Sequence, residues 1–417
     1  MQNEIKLNFE KSLSEGNYSI SQKEIKEKNF NKFLEQGFPN KRIEDWKFSD
    51  LRDIVSKNFA KLDLKLKPSK EENFDFIKDF EHNYIVLVNG RLTSNNFQYE
   101  DNSQIVINPY LNKDFSNKKE KNPLINLNYA LSREGFNLEI KDNYKFNKVL
   151  VIYNLFTKDL NENILNSQNR IKIGKNSELH VFDYVVNKSE KNFFNNVYED
   201  LYLAESSVFK HISIQKKRSN GFFHKFSKNI LSSKSNYSSF IFPLGLKFDK
   251  LDLEFNLEGE NIECNLQAAS FLNKGDHQEI KTRVNHLAPN CKSYQKVKNV
   301  IDLESKGVYQ GKIFVKNIAQ KTDAYQLSKA ILLDESSEFD SKPELEIYAD
   351  DVKCSHGSTS GSVEKDSIYY LMTRGLSKNE SVKLLINGFL SEVIVSIKSK
   401  TMKNFIEQKL LSQIYEH

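Results

Sequence analysis

The sequence predicts a mainly β protein, a parallel β-solenoid flanked by helical segments, and three observations carry that expectation. From about residue 145 to 360 short alternating segments follow one another, among them Ile171–Ile173, Leu179–Val181, Ile212–Ile214, Leu251–Phe255 and Lys312–Val315, with no long helical pattern between them. Such a run does not fit an alternating α/β fold, whose parallel strands are joined by helical crossovers. Within this region one pattern recurs: an apolar residue, three mostly polar residues, a small or polar residue, then a strand. It begins at Ile173, Leu203, Leu257, Leu287, Leu303 and Leu333; the pairs 173/203, 257/287 and 303/333 are each 30 residues apart, and the steps between pairs are 54 and 16. Self-similarity of this kind is expected of stacked coils with inward apolar side chains. A β-sandwich with coincidental spacing is the alternative the pattern leaves open. Third, helical periodicity is strong only near the two ends.

Taken in order, Ser21 with Glu24 suits a capping box, Ile25, Phe33 and Leu34 have helical spacing, and Gly37 followed by Pro39 stops the helix. A second short helix carries Leu51, Ile54 and Val55 on one face. Between them Phe38–Ser49 holds the only tryptophan, Trp46, expected to pin a helix-turn-helix to the body rather than to stack on a ligand. Tyr84–Val88 reads as a strand and Asn89–Gly90 as a hairpin turn. After Gly361 the helical period returns. Ile368, Leu371 and Met372 share a face, and Gly375 is placed as a C-cap. Ser377 with Glu380 then opens a helix whose Val382, Leu385, Ile386, Phe389, Leu390, Val393, Ile394 and Ile397 form one stripe, and Met402, Phe405, Ile406, Leu410 and Ile414 continue it. The stripe is expected either to close the open end of the solenoid or to seat a partner. The expected division is an N-terminal helical domain at 1–78, the β-helix core at 79–362 and a C-terminal helical domain at 363–417.

Composition narrows the function. With 417 residues, 38% of them hydrophobic, and only 7 prolines, the chain can bury a substantial core. Its 61 basic and 56 acidic residues leave a net charge of +5, so binding to nucleic acid is not expected on charge grounds. The first twenty residues lack the apolar run of a signal peptide, and unbroken apolar runs such as Val149–Tyr153 are too short to span a membrane. Three cysteines, Cys264, Cys291 and Cys354, cannot build a disulfide framework and fit a reducing compartment. A cytoplasmic location is the expectation.

Motifs for chemistry are sparse. Gly357–Ser362 is rich in glycine and hydroxyls but lacks the spacing and lysine of a phosphate loop, so the chain is not expected to hydrolyse ATP. There is no C-x-x-C, H-E-x-x-H or strand-linked G-x-G-x-x-G. What stands out is Asp350-Asp351-Val352-Lys353-Cys354-Ser355-His356-Gly357. On a strand Cys354 and His356 share a face, and a cationic Lys353 or imidazolium nearby would favour the thiolate. Two ligands cannot close a four-coordinate metal centre, so another segment or chain would have to supply the rest. Lone Cys and His residues in strands are more often packing than function. Cys264 and Cys291 read as packing, although His286 lies five residues before Cys291. The basic aromatic stretch Lys216–Lys225 reads as a solvated loop rather than a nucleic-acid contact.

Three runs, Ala319–Ser328, Lys342–Gly357 and Tyr369–Gly375, resemble the SufB/SufD family of iron–sulfur cluster assembly proteins, and the resemblance extends over most of the chain. Arg42-Ile43-Glu44-Asp45-Trp46-Lys47-Phe48-Ser49 looks like the segment that opens the SufD branch, with Phe48-Ser49 where tyrosine-threonine is usual. The resemblance implies a right-handed parallel β-helix between helical domains and a non-catalytic cytoplasmic scaffold. It implies pairing with SufB as a heterodimer through the β-helix, with a homodimer open to the isolated chain. It also implies two copies of the ATPase SufC, docked on the helices from about Ser367 to Ile397, where Tyr370, Leu371, Arg374, Leu385 and Phe389 are the expected contacts. No cofactor is expected to stay bound; a transient iron–sulfur cluster would form at the SufB interface. There the family's motif histidine, matched by His356, is implicated with a cysteine of SufB, and Cys354 matches the motif cysteine. Two other classes stay open from the residues: a β-helix enzyme acting on polysaccharide through Asp350 or Asp351, and a thiol enzyme using Cys354 with His356.

Overall fold

The computed structural model describes residues 2–16, 18–64, 75–110, 121–216, 219–243 and 246–415. Strands β1 (Asn83–Val88) and β2 (Arg91–Asn96) form an antiparallel hairpin whose turn residues Asn89 and Gly90 have φ of 50° and 86°, the left-handed values this turn requires. Strands β3 (Ile105–Pro109) and β4 (Glu134–Ile140) also pair antiparallel. The chain then winds through β5 (Leu150–Phe156), β6 (Ile164–Ile173), β7 (Glu178–Asn187), β8 (Phe193–Leu203), β9 (Val208–Lys216), β10 (Ser219–Leu231), β11 (Asn236–Phe242) and β12 (Leu246–Leu257). It continues through β13 (Glu263–Leu272), β14 (His277–His286), β15 (Lys292–Ile301), β16 (Lys306–Val315), β17 (Asp323–Leu332), β18 (Glu338–Ile347) and β19 (Lys353–Gly361). Odd-numbered strands from β5 on stack in one parallel sheet that ends on β1 and β2; even-numbered strands form a second that ends on β4 and β3. The fold is a two-sheet β-solenoid.

The register explains the uneven repeat. Ile173, Leu203, Leu231, Leu257, His286, Val315 and Ile347 stand above one another, so a coil takes 26 to 32 residues. The 54-residue step therefore hides a coil at Leu231, and the 16-residue step crosses from the even strands to the odd, because Leu303 and Leu333 follow β15 and β17. The polar triplet is a corner. Asn143, Asn176, Ser206, Lys234, Asn261, Asn290 and Lys321 stack there, all with φ between 55° and 63°. Each N–H donates to a carbonyl of the next coil, from Lys175 to Asp351, at 2.6 to 3.3 Å. Asparagine suits such a position because its short polar side chain tolerates left-handed backbone.

Helices cover the outer faces of both sheets. On the even sheet lie α1 (Gln2–Glu15), α2 (Ile20–Gln36), α3 (Leu51–Asn58) and α4 (Pro123–Leu131), with Phe9, Phe33, Trp46 and Leu51 packed in one cluster with Ile164, Phe194, Phe222 and Phe248. After α5 (Lys365–Thr373), α6 (Lys378–Ile394) and α7 (Lys400–Tyr415) lie on the odd sheet, where Ile386, Leu390, Val393 and Phe405 meet Val151, Phe182, Ile214, Phe271 and Val300. The C-terminal stripe thus covers a broad face and not the open end, because the odd strands are apolar outside as well as inside. Ser377 and Glu380 cap α6 as a capping box, and Gly375 follows α5 at φ 97°. The first capping box is displaced: Ser19 with Gln22 caps α2, and Ser21 and Glu24 lie within the helix. Gly37 ends it at φ 67°.

The stretch read as a solvated loop is mostly strand. Lys217 and Arg218 lie outside the described residues, but in β10 Phe222, Phe223 and His224 are buried and Lys225 pairs with Glu199 at 2.9 Å. A strand covered on both faces shows no alternation of polar and apolar residues to betray it.

Lys225 and Glu199 belong to a polar island in the lumen, with Asp183 and Asp249, around a cavity of about 90 Å³. Burial pushes the Asp249 carboxyl up to about 7 and the Asp183 carboxyl up to about 6, with the Lys225 ammonium opposing both changes. A carboxyl whose folded pKa lies above its unfolded value keeps a proton that the unfolded chain releases, so stability falls from about pH 4 to pH 7. Asp249→Asn removes the Asp249 share of that dependence. In urea titrations its stability relative to wild type should rise by about 1.4 kcal/mol for each pH unit from about pH 5 to pH 7 and level off above; a pH-independent difference would contradict this.

Candidate functional site

The solenoid ends on β18 and β19, and among the described residues no α-helix packs broadly on either. β19 bonds only β17 within its sheet, with Cys354 opposite Ala324 and His356 opposite Gln326. Strand alternation therefore puts Cys354 and His356 on one face, as expected. Cys354 is half-buried against Ile313, Val315, Ala324 and Ala349, whereas His356 is exposed. Burial pushes the Cys354 thiol up; a hydrogen bond from the Ala324 backbone opposes that change. The expectation of a thiolate favoured by Lys353 is thus not met, since neighbours on a strand point to opposite faces. Beneath His356, Gln326 is fully buried: Tyr309 Oη donates to its Oε1 at 3.2 Å, and its Nε2 donates to the Glu344 carbonyl at 3.1 Å. Gly311 makes room for that pair, because a methyl there would overlap Gln326 Oε1 and Tyr309 Oη. Among the described residues no three His, Cys, Asp or Glu side chains converge into a metal-binding group.

Cys264 and Cys291 are buried, and burial pushes both thiols up. Cys291 Sγ lies 3.2 Å from the Gly259 carbonyl, and His286 Nε2 bonds Ser293 rather than either thiol. Both cysteines pack the core.

The residues expected from the sequence to dock a partner separate by position. On α5, Tyr369, Tyr370 and Met372 are 71%, 57% and 43% exposed, and the Arg374 guanidinium lies 5.3 Å from the Tyr370 ring centre. Leu371 and Leu385 are half-buried. Phe389 is turned to the body: its ring lies 4.3 Å from the Lys298 ammonium, and its carbonyl accepts from the same nitrogen at 3.0 Å.

At the other end of the chain the Arg42–Ser49 segment clasps the outer face of the even sheet. Trp46 is fully buried, with the Lys250 ammonium 4.6 Å from its ring centre and the His224 ring at 5.6 Å. Lys250 and Glu279, register partners on β12 and β14, form a fully buried ion pair, and Lys250 also donates to the Asp45 carbonyl at 2.9 Å. Glu279 accepts from the Ser49 hydroxyl and from Gln310 at 2.6 Å. Burial raises the Glu279 carboxyl, but the Lys250 ammonium and the hydrogen bonds from Lys250 and Ser49 hold it below the usual carboxylate range. Asp45 meets Lys281 at 2.7 Å, and Glu44 meets Lys342. Ser49 keeps the hydroxyl that a threonine would bring, which makes its substitution a mild one. The tryptophan acts as a pin, as its type led one to expect.

The fold defines a β-solenoid protein with helical layers on both faces, and its terminal strand carries the Cys/His pair. The chain belongs to the SufBD family of iron–sulfur cluster assembly proteins. Residues 8–152 match the family description "SufBD protein N-terminal region", and residues 156–389 match "SUF system FeS cluster assembly, SufBD core domain". It is similar to the iron–sulfur cluster assembly protein SufD of Escherichia coli, 24% identical over 388 residues that cover 91% of this chain and 89% of the relative. A SufBD family protein of Synechocystis is 25% identical over 391 residues, 89% of this chain and 86% of the relative. A SufD of Plasmodium falciparum is 29% identical over 262 residues, 61% of this chain and 18% of that longer protein. Among the described residues no helix is long and apolar enough to cross a membrane.

Proposed function

We propose that this chain is a non-catalytic scaffold subunit of a cytoplasmic complex with SufB and the ATPase SufC, in which nascent iron–sulfur clusters form where the open end of the solenoid meets SufB. The observation that carries the reading is the edge of β19, unpaired among the described residues, which brings an exposed His356 and a half-buried Cys354 to the C-terminal end of the solenoid. A free parallel edge is a template for pairing with a further strand. Pro343 lacks an N–H on neighbouring β18, so β19 is the more complete edge. The cluster is cargo: His356 would hold it with groups from SufB. The exposed Tyr369, Tyr370 and Met372 surface of α5 would receive SufC, with Arg374 beside it.

The test is co-purification with SufB and SufC, followed by anaerobic reconstitution. His356→Ala is expected to abolish cluster formation, read as iron and sulfide per complex, while complex assembly and SufC binding persist. Wild-type iron and sulfide in that variant would remove His356 from the site.

A further inference from the structure

The geometry points to a binding site for a small planar organic anion on the outer face of the odd sheet, in the cleft that α6 and α7 leave uncovered. The cleft holds about 650 Å³, within the ~300–1,000 Å³ typical of small-ligand pockets. Its floor is apolar, made by the buried rings of Phe182 and Phe240 with Ile397 from the turn between α6 and α7 and Met402 from the first turn of α7. Its mouth is positive: Lys148, Lys210, Lys292 and Lys398 line it against only Glu81 and Glu263.

Internal pairing does not neutralise these lysines evenly. Lys148 meets Glu81 at 2.7 Å, and Lys210 shares Glu178 with His180, each at 2.6 Å. Lys292 stands 3.9 Å from Glu263, at the limit of an ion pair, and Lys398 has no ion pair among the described residues. The surplus charge therefore gathers between β15 and the start of α7. At the same rim the Tyr294 ring is exposed, and its hydroxyl is held by Asp323 at 2.8 Å, which fixes a plane for an aromatic ligand to stack on. An apolar floor selects a hydrophobic body, and surplus lysine charge at the mouth selects an anionic group on it.

The probe is 8-anilinonaphthalene-1-sulfonate, titrated by fluorescence into the full-length chain, with uncharged N-phenyl-1-naphthylamine as its neutral counterpart. The site predicts one saturable class of sulfonate binding, at least about tenfold tighter than the neutral dye. The double variant Lys292→Glu, Lys398→Glu should weaken sulfonate binding about tenfold or more with thermal unfolding unchanged, and Tyr294→Ala should weaken both dyes. Tyr370→Ser, on the exposed face of α5, should leave binding intact. Equal affinity for the two dyes, wild-type affinity in the charge-reversed variant, or loss that follows Tyr370 would each overturn the assignment.

Discussion

Glu279→Ala is expected to destabilise the folded chain by about 3–5 kcal/mol, and Lys250→Ala by a similar amount, because either change leaves a buried charge without its partner. Both side chains are fully buried. Loss of Glu279 would also orphan the Gln310 amide and leave the Ser49 hydroxyl with His277 alone, while loss of Lys250 would free the Asp45 carbonyl and uncover one face of Trp46. The two losses should not add. Replacing the pair together, as Lys250→Met with Glu279→Leu, removes both charges at once and is expected to cost less than either single change, as for other buried pairs exchanged for apolar groups. Urea denaturation at pH 7 reads all three. Because the Glu279 carboxyl is held below its ordinary range, the pair's contribution is present above that range and lost as pH falls through the folded value. Additive losses would mean that the two charges do not depend on one another.

Ser358→Pro is expected to abolish pairing with SufB while leaving the solenoid folded. The Lys353 N–H donates to the Thr322 carbonyl of the neighbouring coil. In a parallel ladder alternate residues bond the same neighbour, so Cys354, His356 and Ser358 turn their amides to the free edge. Proline at Ser358 deletes one of those outward donors without breaking a bond to β17, and edge strands tolerate it. The Ser358 hydroxyl also accepts from Ser328 at 2.9 Å, so Ser358→Ala is the control. On the proposed pairing, co-purification with SufB survives Ser358→Ala and fails with Ser358→Pro, and thermal unfolding of the isolated chain is little changed in either. A proline variant that still pulls down SufB would place the interface elsewhere.

The alternation from Leu179 to Val315 and the near-30-residue spacing were enough to foresee stacked coils, because each coil repeats two strands and the two corners that join them. The sheet's partners were harder to read. Strands such as β10 and β11 are buried on both faces, so neither shows a polar stripe, and a basic run at one end made β10 look like a loop. Helix α1 could have been found from Ile5, Phe9 and Leu13 at four-residue spacing, and α4 from Asn122 capping Pro123. Cys354 and His356 were legible as one face of one strand. The state of the thiol was not, because it depends on burial against residues from other strands and the turns beside them. The clasp around Glu279 was invisible for the same reason: its members, Asp45, Ser49, Lys250, Glu279 and Gln310, are scattered along the chain and meet only through the stacking of coils.

The C-terminal stripe shares one buried cluster with seven strands of the odd sheet, from Val86 of β1 to Val300 of β15. At ~4.8 Å per strand that is a span of about 30 Å. A load applied to α5, which has no buried residue of its own, passes through the turn at Gly375 into α6 and is then shared in shear by all seven strands. It does not peel one strand from the end. The two helices work as a splint, and a pull on α5 moves the solenoid as one rigid body rather than unravelling its bare terminal coil.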